Sequence, residues 1–406
     1  MRGVATADWH LGFRAFSAME GGRNAREVDV ERALDRVVEN TIEADPGLVT
    51  ISGDVFDHPR VSMHAVLAFR DAIRRIREGT EAHVVILQGN HDAPRTADTK
   101  TPIHVPGDYD RVHVVTTPRR IRFTAASTSE VVSVACFPYV RAAESDGESY
   151  RLDPDPEADV NVLAMHAAVK GGADGDRLPH FYGGEGALDV GREADRWDVI
   201  AVGDYHEPTR LTEKGLVFYP GSLERTSSDI WSEHQEKGVV VYDTREGEAE
   251  FVSHETRRVS DWDLLDWDID FLQPGPEHVN RALSSLHEEG YDGAIVRLKA
   301  VGFPREQRDQ VDWSVVRELK RTCLHFQLDL EWADRDHALT SQDGERAREG
   351  LREQALEFFR EDRPAVRSRA LEHLGFEEDS DEEAEVVEVE EEAESEPAAL
   401  AAGGAR

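Results

Sequence analysis

Apolar and polar positions follow two rhythms along the first 245 residues. Apolar runs of strand length recur at 2–6, 48–52, 83–88, 112–115, 131–136, 160–165, 198–202, 216–219 and 238–242. Runs this short and this continuous predict strands buried on both faces. Between them, 28–44 carries Val30, Leu34, Val37, Val38 and Ile42 at helical spacing, and 62–78 repeats that rhythm. Strands alternating with helices, then closing on hairpin-like strands, predict an α/β sandwich.

The pattern changes after residue 245. Pro276 opens a helix that Gly290 closes, 293–302 reads as a strand, 310–322 as a helix and 325–332 as a strand. This α-β-α-β order predicts a small separate domain over 261–335. The polar stretch 336–344 reads as a linker. Helical spacing returns over 345–376: Leu351, Ala355, Phe358 and Phe359, then Val366, Ala370 and Leu374 beyond Pro364. Residues 377–406 are acidic, of low complexity, and predict a disordered tail.

Charge changes the picture more than size does. The chain has 406 residues and a formal charge of −36. The tail accounts for only 13 of the acids, so the body is acidic too. Lysine is scarce, 6 against 41 arginines. Such a balance reads as adaptation to high internal salt, where self-repulsion is screened, as in a haloarchaeal protein. Cys136 and Cys323 stand far apart in apolar runs, so neither a disulfide nor a thiolate metal site is expected. Neither a leader nor a membrane span is expected, and the compartment is expected to be the cytoplasm.

The candidate chemistry sits where the apolar runs stop. The first ends in Asp8 and His10, the second in Gly53-Asp54 with Asp57 and His58 after it. The third ends in Asn90, His91 and Asp92, a later one in His166, and the run 198–202 in Asp204 and His206. Singly each has a plain structural reading: Asp8 as a cap, "GD" as a turn, His166 as a satisfied core histidine. Together they deliver five sets of carboxylate, imidazole and amide groups to the edge of an α/β sheet where ligands bind. On an extended strand, residues two apart share a side, so Asp8/His10 and Asp204/His206 should leave their strands as pairs. A pair of divalent cations needs a bridging carboxylate with nitrogen and oxygen donors around it. Without cysteine, the donor set suits manganese or magnesium better than thiolate-bound zinc. His64, His83, His113 and His234 fit helix faces, strands and loops without a functional role.

D-x-H, GD, GNHD, a later His and G-x-x-H in this order resemble the calcineurin-like metallophosphoesterases. "YPGSLER" at 219–225 brings the resemblance closer to the nuclease subunit of double-strand-break repair complexes, Mre-type in archaea and eukaryotes and SbcD in bacteria. It covers about 1–245. It implies a calcineurin-like metallophosphoesterase β-sandwich flanked by helices over 1–245, a small α+β capping, DNA-binding domain over 261–335, and a C-terminal helical extension. It implies two Mn²⁺ ions, with Mg²⁺ as the alternative. Asp8, His10, Asp54 and His206 would hold one. Asp54, Asn90, His166 and Asp204 would hold the other, with Asp54 bridging and His91 acting on the scissile phosphate. Where the family usually carries a second histidine, this chain has Asp204. Asp57 also replaces a usual histidine, so no role is carried over to it. The implied activities are 3′→5′ exonuclease and single-strand endonuclease. The implied partners are DNA, an SMC-like ATPase of the Rad/SbcC type docked on 345–376, and a second copy of the chain packed through helix 62–78, all at the chromosome.

An acidic protein should repel DNA. In molar salt the Debye length is only about 3 Å, which mutes the global field, and bound cations supply positive charge locally. Arg95, Lys100, Arg210 and Arg225 could add to it or pair with acids. Two rival functions remain: a phosphatase or phosphodiesterase for small substrates, and a DNA-tethering scaffold with dispensable nuclease activity.

Overall fold

The computed structural model describes residues 1–94, 100–139, 153–170, 188–213, 215–264 and 274–332. All of these fall in the compact unit Met1–Trp332. The linker 336–344, the helices 345–376 and the tail 377–406 lie outside the described residues, as does Arg95.

Two six-stranded sheets carry the first part of the chain. One has the spatial order Glu248–His254, Lys237–Asp243, Arg2–Thr6, Leu48–Ile51, His83–Leu87 and Val112–Val115. Its last four strands are parallel, and the first two are antiparallel additions. The other has the order Thr209–Arg210, Leu216–Tyr219, Val199–Gly203, Val160–His166, Val131–Phe137 and Arg119–Thr124. Its four inner strands are parallel.

The continuous apolar runs follow from burial on both faces. In the first sheet Val4, Val49, Val84 and Ile86 face the helices Ala25–Ala44 and Met63–Gly79, meeting Val30, Leu34, Val37, Phe69 and Ile73. The alternate positions Ala5, Leu48, Val85 and Leu87 face the second sheet and meet Val134, Cys136, Val162 and Val199. Period-two geometry thus assigns neighbouring residues to different cores. Each helix is started by a polar cap: Asn24 accepts from Arg26 N at 3.1 Å and Ser62 from Ala65 N at 3.2 Å.

After these sheets comes a three-stranded parallel sheet, Val259–Asp263, Ile295–Phe303 and His325–Trp332. The helices Pro276–Glu289 and Trp313–Thr322 cross over between the strands. Its own core joins Val279, Leu283, Leu286, Val296, Leu298, Val316 and Leu319. The order is therefore β-α-β-α-β. The additional strand, "VSDWD", is too polar to stand out as an apolar run, and it spans the boundary expected at 261. Strands Arg119–Thr124 and Glu248–His254 do not stand out in the sequence for the same reason: each is an edge strand with a polar face. Arg257 ties this sheet to the first helix. Its guanidinium donates to Asp29 at 2.6 Å and to the Gly293 carbonyl at 2.6 Å. Among the described residues no helix is long and apolar enough to cross a membrane.

Candidate metal centre

The strand Arg2–Thr6 stops before Asp8, and Val199–Gly203 stops before Asp204. The paired residues therefore do not leave on extended backbone, as the sequence suggested. Asp8, His10, Asp54 and Asp204 have φ of 51°, 45°, 49° and 102°, in the left-handed region that disfavours side chains. The strain turns each chain sharply at the sheet edge and aims the side chain inward. Trp9, between Asp8 and His10, goes the other way, fully buried and donating to Thr6 Oγ1 at 2.9 Å.

Glycines make room for this. Gly53 has φ +94°, and a Cβ there would lie 2.2 Å from His166 Nδ1. A Cβ on Gly89 would lie 2.0 Å from Asp54 Oδ1. Backbone and ligand side chains approach so closely that only hydrogen fits.

The candidates converge. His10 Nε2 and His206 Nε2 lie 3.0 Å apart. His166 Nε2 lies 2.8 Å from Asn90 Oδ1 and 3.7 Å from Asp204 Oδ1. Asp54 Oδ2 stands between the two sets, 3.9 Å from His10 Nε2 and 3.5 Å from His166 Nε2. Asp8 Oδ1 and Oδ2 each accept from the Asp204 main-chain N–H at 3.2 Å. Ligand atoms of Asp8, His10 and His206 lie within 4.8 Å of one another, as do those of Asp8, Asp54 and His166. His166 donates Nδ1–H to the Ser52 carbonyl at 2.8 Å, which turns its Nε2 toward Asp54 and Asn90. The seven candidate ligands are thus gathered into one cluster at the sheet edge.

His91 is placed differently. Its main-chain N–H donates to Asp54 Oδ1 at 2.8 Å and its Nδ1 lies 2.7 Å from the Asp57 carbonyl. Its side chain is exposed, whereas Asp8, His10, Asp54 and His166 are buried.

Electrostatics fit a cation. Burial, and then Asp54 and Asp204, push the Asp8 carboxyl well above its usual range. Burial opposes ionisation of Asp54 as well, but the His166 and His10 rings outweigh it and hold that carboxyl low. Burial lowers His10, favouring the neutral ring that can ligate. For His91 burial is outweighed by Asp54 and the Asp57 carbonyl, so its ring is raised above the ordinary imidazole value. Among the described residues no lysine or arginine lies within ion-pair distance of Asp8 or Asp54. Buried carboxylates crowded together without a basic partner, with ring nitrogens turned toward each other, are a donor set that a divalent cation completes. The cysteines are buried elsewhere and play no part.

Three supporting residues had no role assigned by the sequence. Asp57 Oδ1 lies 3.5 Å from His10 Nδ1, and His10, Asp57 and His91 form a third potential metal group. Asp92 is buried and accepts from Val55, Phe56 and Gly89 N–H at 3.1, 2.9 and 2.9 Å, which pins the GD and GNHD turns together. Burial, then Asp54, pushes its carboxyl up to about 7. Glu233 approaches His206 Nδ1 at 3.3 Å. Arg210 and Arg225 are engaged locally, donating to the carbonyls of Thr212 and Gly215 and of Glu233 and Gln235.

A two-sheet α/β sandwich with carboxylates and imidazoles gathered at the strand ends defines a class of phosphoesterases. A profile of the family "Calcineurin-like phosphoesterase" matches residues 1–208, half of the chain, and the chain belongs to that family. Its similarity to one named protein is more particular. It is 29% identical over 284 residues to the "DNA double-strand break repair protein Mre11" of Methanopyrus kandleri, over 64% of this chain and 58% of that protein. The chain thus spans less than two thirds of the curated relative it matches. Among solved structures, TT1561 of Thermus thermophilus aligns over 62% of this chain and 98% of its own at 14% identity, with a TM-score of 0.36.

Proposed function

We propose that this protein is a manganese-dependent DNA nuclease of a double-strand-break repair complex, hydrolysing phosphodiesters with two metal ions. The carrying observation is Asp54 Oδ2, which lies between His10 Nε2 and His166 Nε2 as a bridging carboxylate must. Asp8, His10, Asp54 and His206 would hold one ion, and Asp54, Asn90, His166 and Asp204 the other. Magnesium is the alternative cation. A carboxylate-bridged divalent pair activates water and neutralises charge on a phosphoryl group. His91 lies outside both ligand sets. Its Nδ1 is engaged by the Asp57 carbonyl, which leaves Nε2 to give a proton to, or stabilise charge on, the scissile phosphate.

The DNA substrate is supported by similarity to a protein described as acting in double-strand break repair. In this reading the sheet Val259–Trp332 caps the centre and residues 345–376 dock a Rad/SbcC-type ATPase. A homodimer would use helix Met63–Gly79, where Met63 and Leu67, at i, i+4 spacing, are 68% and 38% exposed. The acidic surface implies a working medium of high salt, in which DNA binding relies less on phosphate contacts.

The test is digestion in molar potassium chloride with manganese, comparing duplex DNA, hairpin DNA and a small phosphodiester. The proposal expects strand cleavage of DNA at a far higher rate than of the small ester. Turnover of the small ester alone would make the chain a small-substrate phosphodiesterase.

A further inference from the structure

One buried carboxylate beside the centre belongs to neither ligand set. Glu233 is 4% exposed. Its Oε1 accepts from Thr226 N at 3.0 Å and Ser227 N at 2.7 Å, and lies 3.3 Å from His206 Nδ1. Its Oε2 meets the Lys237 ammonium at 2.5 Å. Lys237 is fully buried and donates to the main-chain carbonyl of His206 at 2.8 Å. The pair therefore grips His206 twice, Glu233 at the ring and Lys237 at the backbone.

A buried ion pair is a poor device for stability, because desolvation offsets most of its attraction and apolar side chains could fill the same volume. Its position explains it better. His206 Nε2 points at His10 Nε2. To serve an ion held there that nitrogen must offer a lone pair, and Nδ1 must then carry the proton. A carboxylate behind Nδ1 selects that tautomer, fixes the ring plane and makes Nε2 a stronger donor. The Ser227 hydroxyl, 3.1 Å from Nδ1, can share the same N–H but carries no charge.

We propose that Glu233, held in place by Lys237, is the positioning residue that fixes His206 in its Nδ1–H form and thereby sets the affinity of the ion His206 serves. This rests on the metal-centre reading above.

The test uses the full chain, with manganese titrated calorimetrically in molar potassium chloride into wild type, His206→Ala, Glu233→Leu/Lys237→Met and Glu233→Gln/Lys237→Met. Both double substitutions avoid leaving a buried unpaired charge. The Leu/Met variant should bind one ion about 10–100-fold more weakly, the range for lost partners of metal-bound histidine, and leave the other unchanged. The Gln/Met variant keeps an acceptor for Nδ1–H and should recover most of that loss. Nitrogen-15 spectra of histidine-labelled, metal-free wild type should show His206 with its proton on Nδ1. An Nε2–H ring there overturns the proposal without any variant, and so does a Leu/Met variant that titrates like wild type. Equal losses in the two double variants would also overturn it, since an acceptor for Nδ1–H at position 233 would then make no difference. The metal-centre reading fails separately, if wild type takes up no manganese or His206→Ala changes nothing.

Discussion

Two pairs of histidines in this fold bring ring nitrogens to the same separation. His10 Nε2 and His206 Nε2 lie 3.0 Å apart at the carboxyl ends of the strands. His83 Nδ1 and His113 Nε2 also lie 3.0 Å apart, near the opposite end of the sheet. The second pair is stacked nearly parallel, 6° between planes, with His83 also lying on the Phe123 ring at 3.9 Å. The first is inclined at 61° and is bordered by Asp8, Asp54 and Asp57. Among the described residues no carboxylate lies within ion-pair distance of His83 or His113. One pair satisfies itself by a shared N–H and ring stacking, and the other sets its ring nitrogens among carboxylates in a group that could hold a cation. A short nitrogen–nitrogen distance thus says little until the carboxylates around it are counted.

The comparison breaks most sharply at Asp54. Asp54→Ala removes the carboxylate oxygen placed between the two nitrogen sets. Cleavage should fall by about 10³-fold or more, since the lost charge stabilisation is worth several kcal/mol, while circular dichroism stays native. Near wild-type rates would end the two-metal proposal.

His91 comes next. It stacks edge-on to His10 with centroids 4.8 Å apart, yet it is exposed and holds the Asp57 carbonyl. His91→Ala should keep both ions by calorimetry and lose about 10²–10⁴-fold in turnover, the usual contribution of a general acid. Loss of an ion with the imidazole would make it a ligand instead, alongside Asp57.

Asp204 tests whether the two proposed ion sites are distinct. Its carboxylate lies near His166, whereas His206, two residues on, reaches His10. Asp204→Ala should weaken manganese at one site by about tenfold, equivalent to about 1.4 kcal/mol, and leave the other intact. Asp204→His should keep cleavage and move that site's preference toward zinc by restoring a nitrogen donor. Two unchanged binding isotherms in the alanine variant would place Asp204 outside the coordination shell.

Much of this was legible because burial on both sheet faces forces continuous apolar runs, and a polar residue at the end of such a run stands out. The nine apolar strands and the helices at 28–44, 62–78 and 276–290 all correspond to elements of the fold. The edge strands 119–124, 248–254 and 259–263 were not legible, because one exposed face dilutes the apolar signal. The backbone of the site differs from the sequence expectation for another reason. Spacing of two suggests an extended strand, but Asp8, His10 and Asp204 reach the centre through left-handed φ values that the sequence does not announce. Glu233 and Asp92 were invisible as supports, since each acts through a contact made only on folding, Glu233 on a side chain and Asp92 on main-chain N–H groups.

The smallest effect belongs to the second histidine pair, and it should appear in stability rather than in catalysis. Burial, then the neighbouring His113, lowers the His83 ring from its ordinary value to about 4. Between pH 6.5 and 4 the unfolded chain therefore binds a proton at His83 that the folded chain refuses. Stability rises with pH wherever the unfolded state holds more protons. The contribution of neutral His83 is thus complete above pH 6.5 and is lost as pH falls toward 4. His83→Phe keeps an aromatic ring beside Phe123 and cannot titrate. At about pH 7.5 it should melt slightly lower than wild type, through the lost hydrogen bond to His113, and at about pH 5 that deficit should shrink or reverse. Manganese binding and cleavage should not change at either pH. Thermal melts of both proteins across this range, at one fixed salt concentration, make the measurement. Curves that stay parallel from about pH 7.5 to about 4.5 would show that His83 titrates normally, and the contrast between the two pairs would then rest on the carboxylates alone.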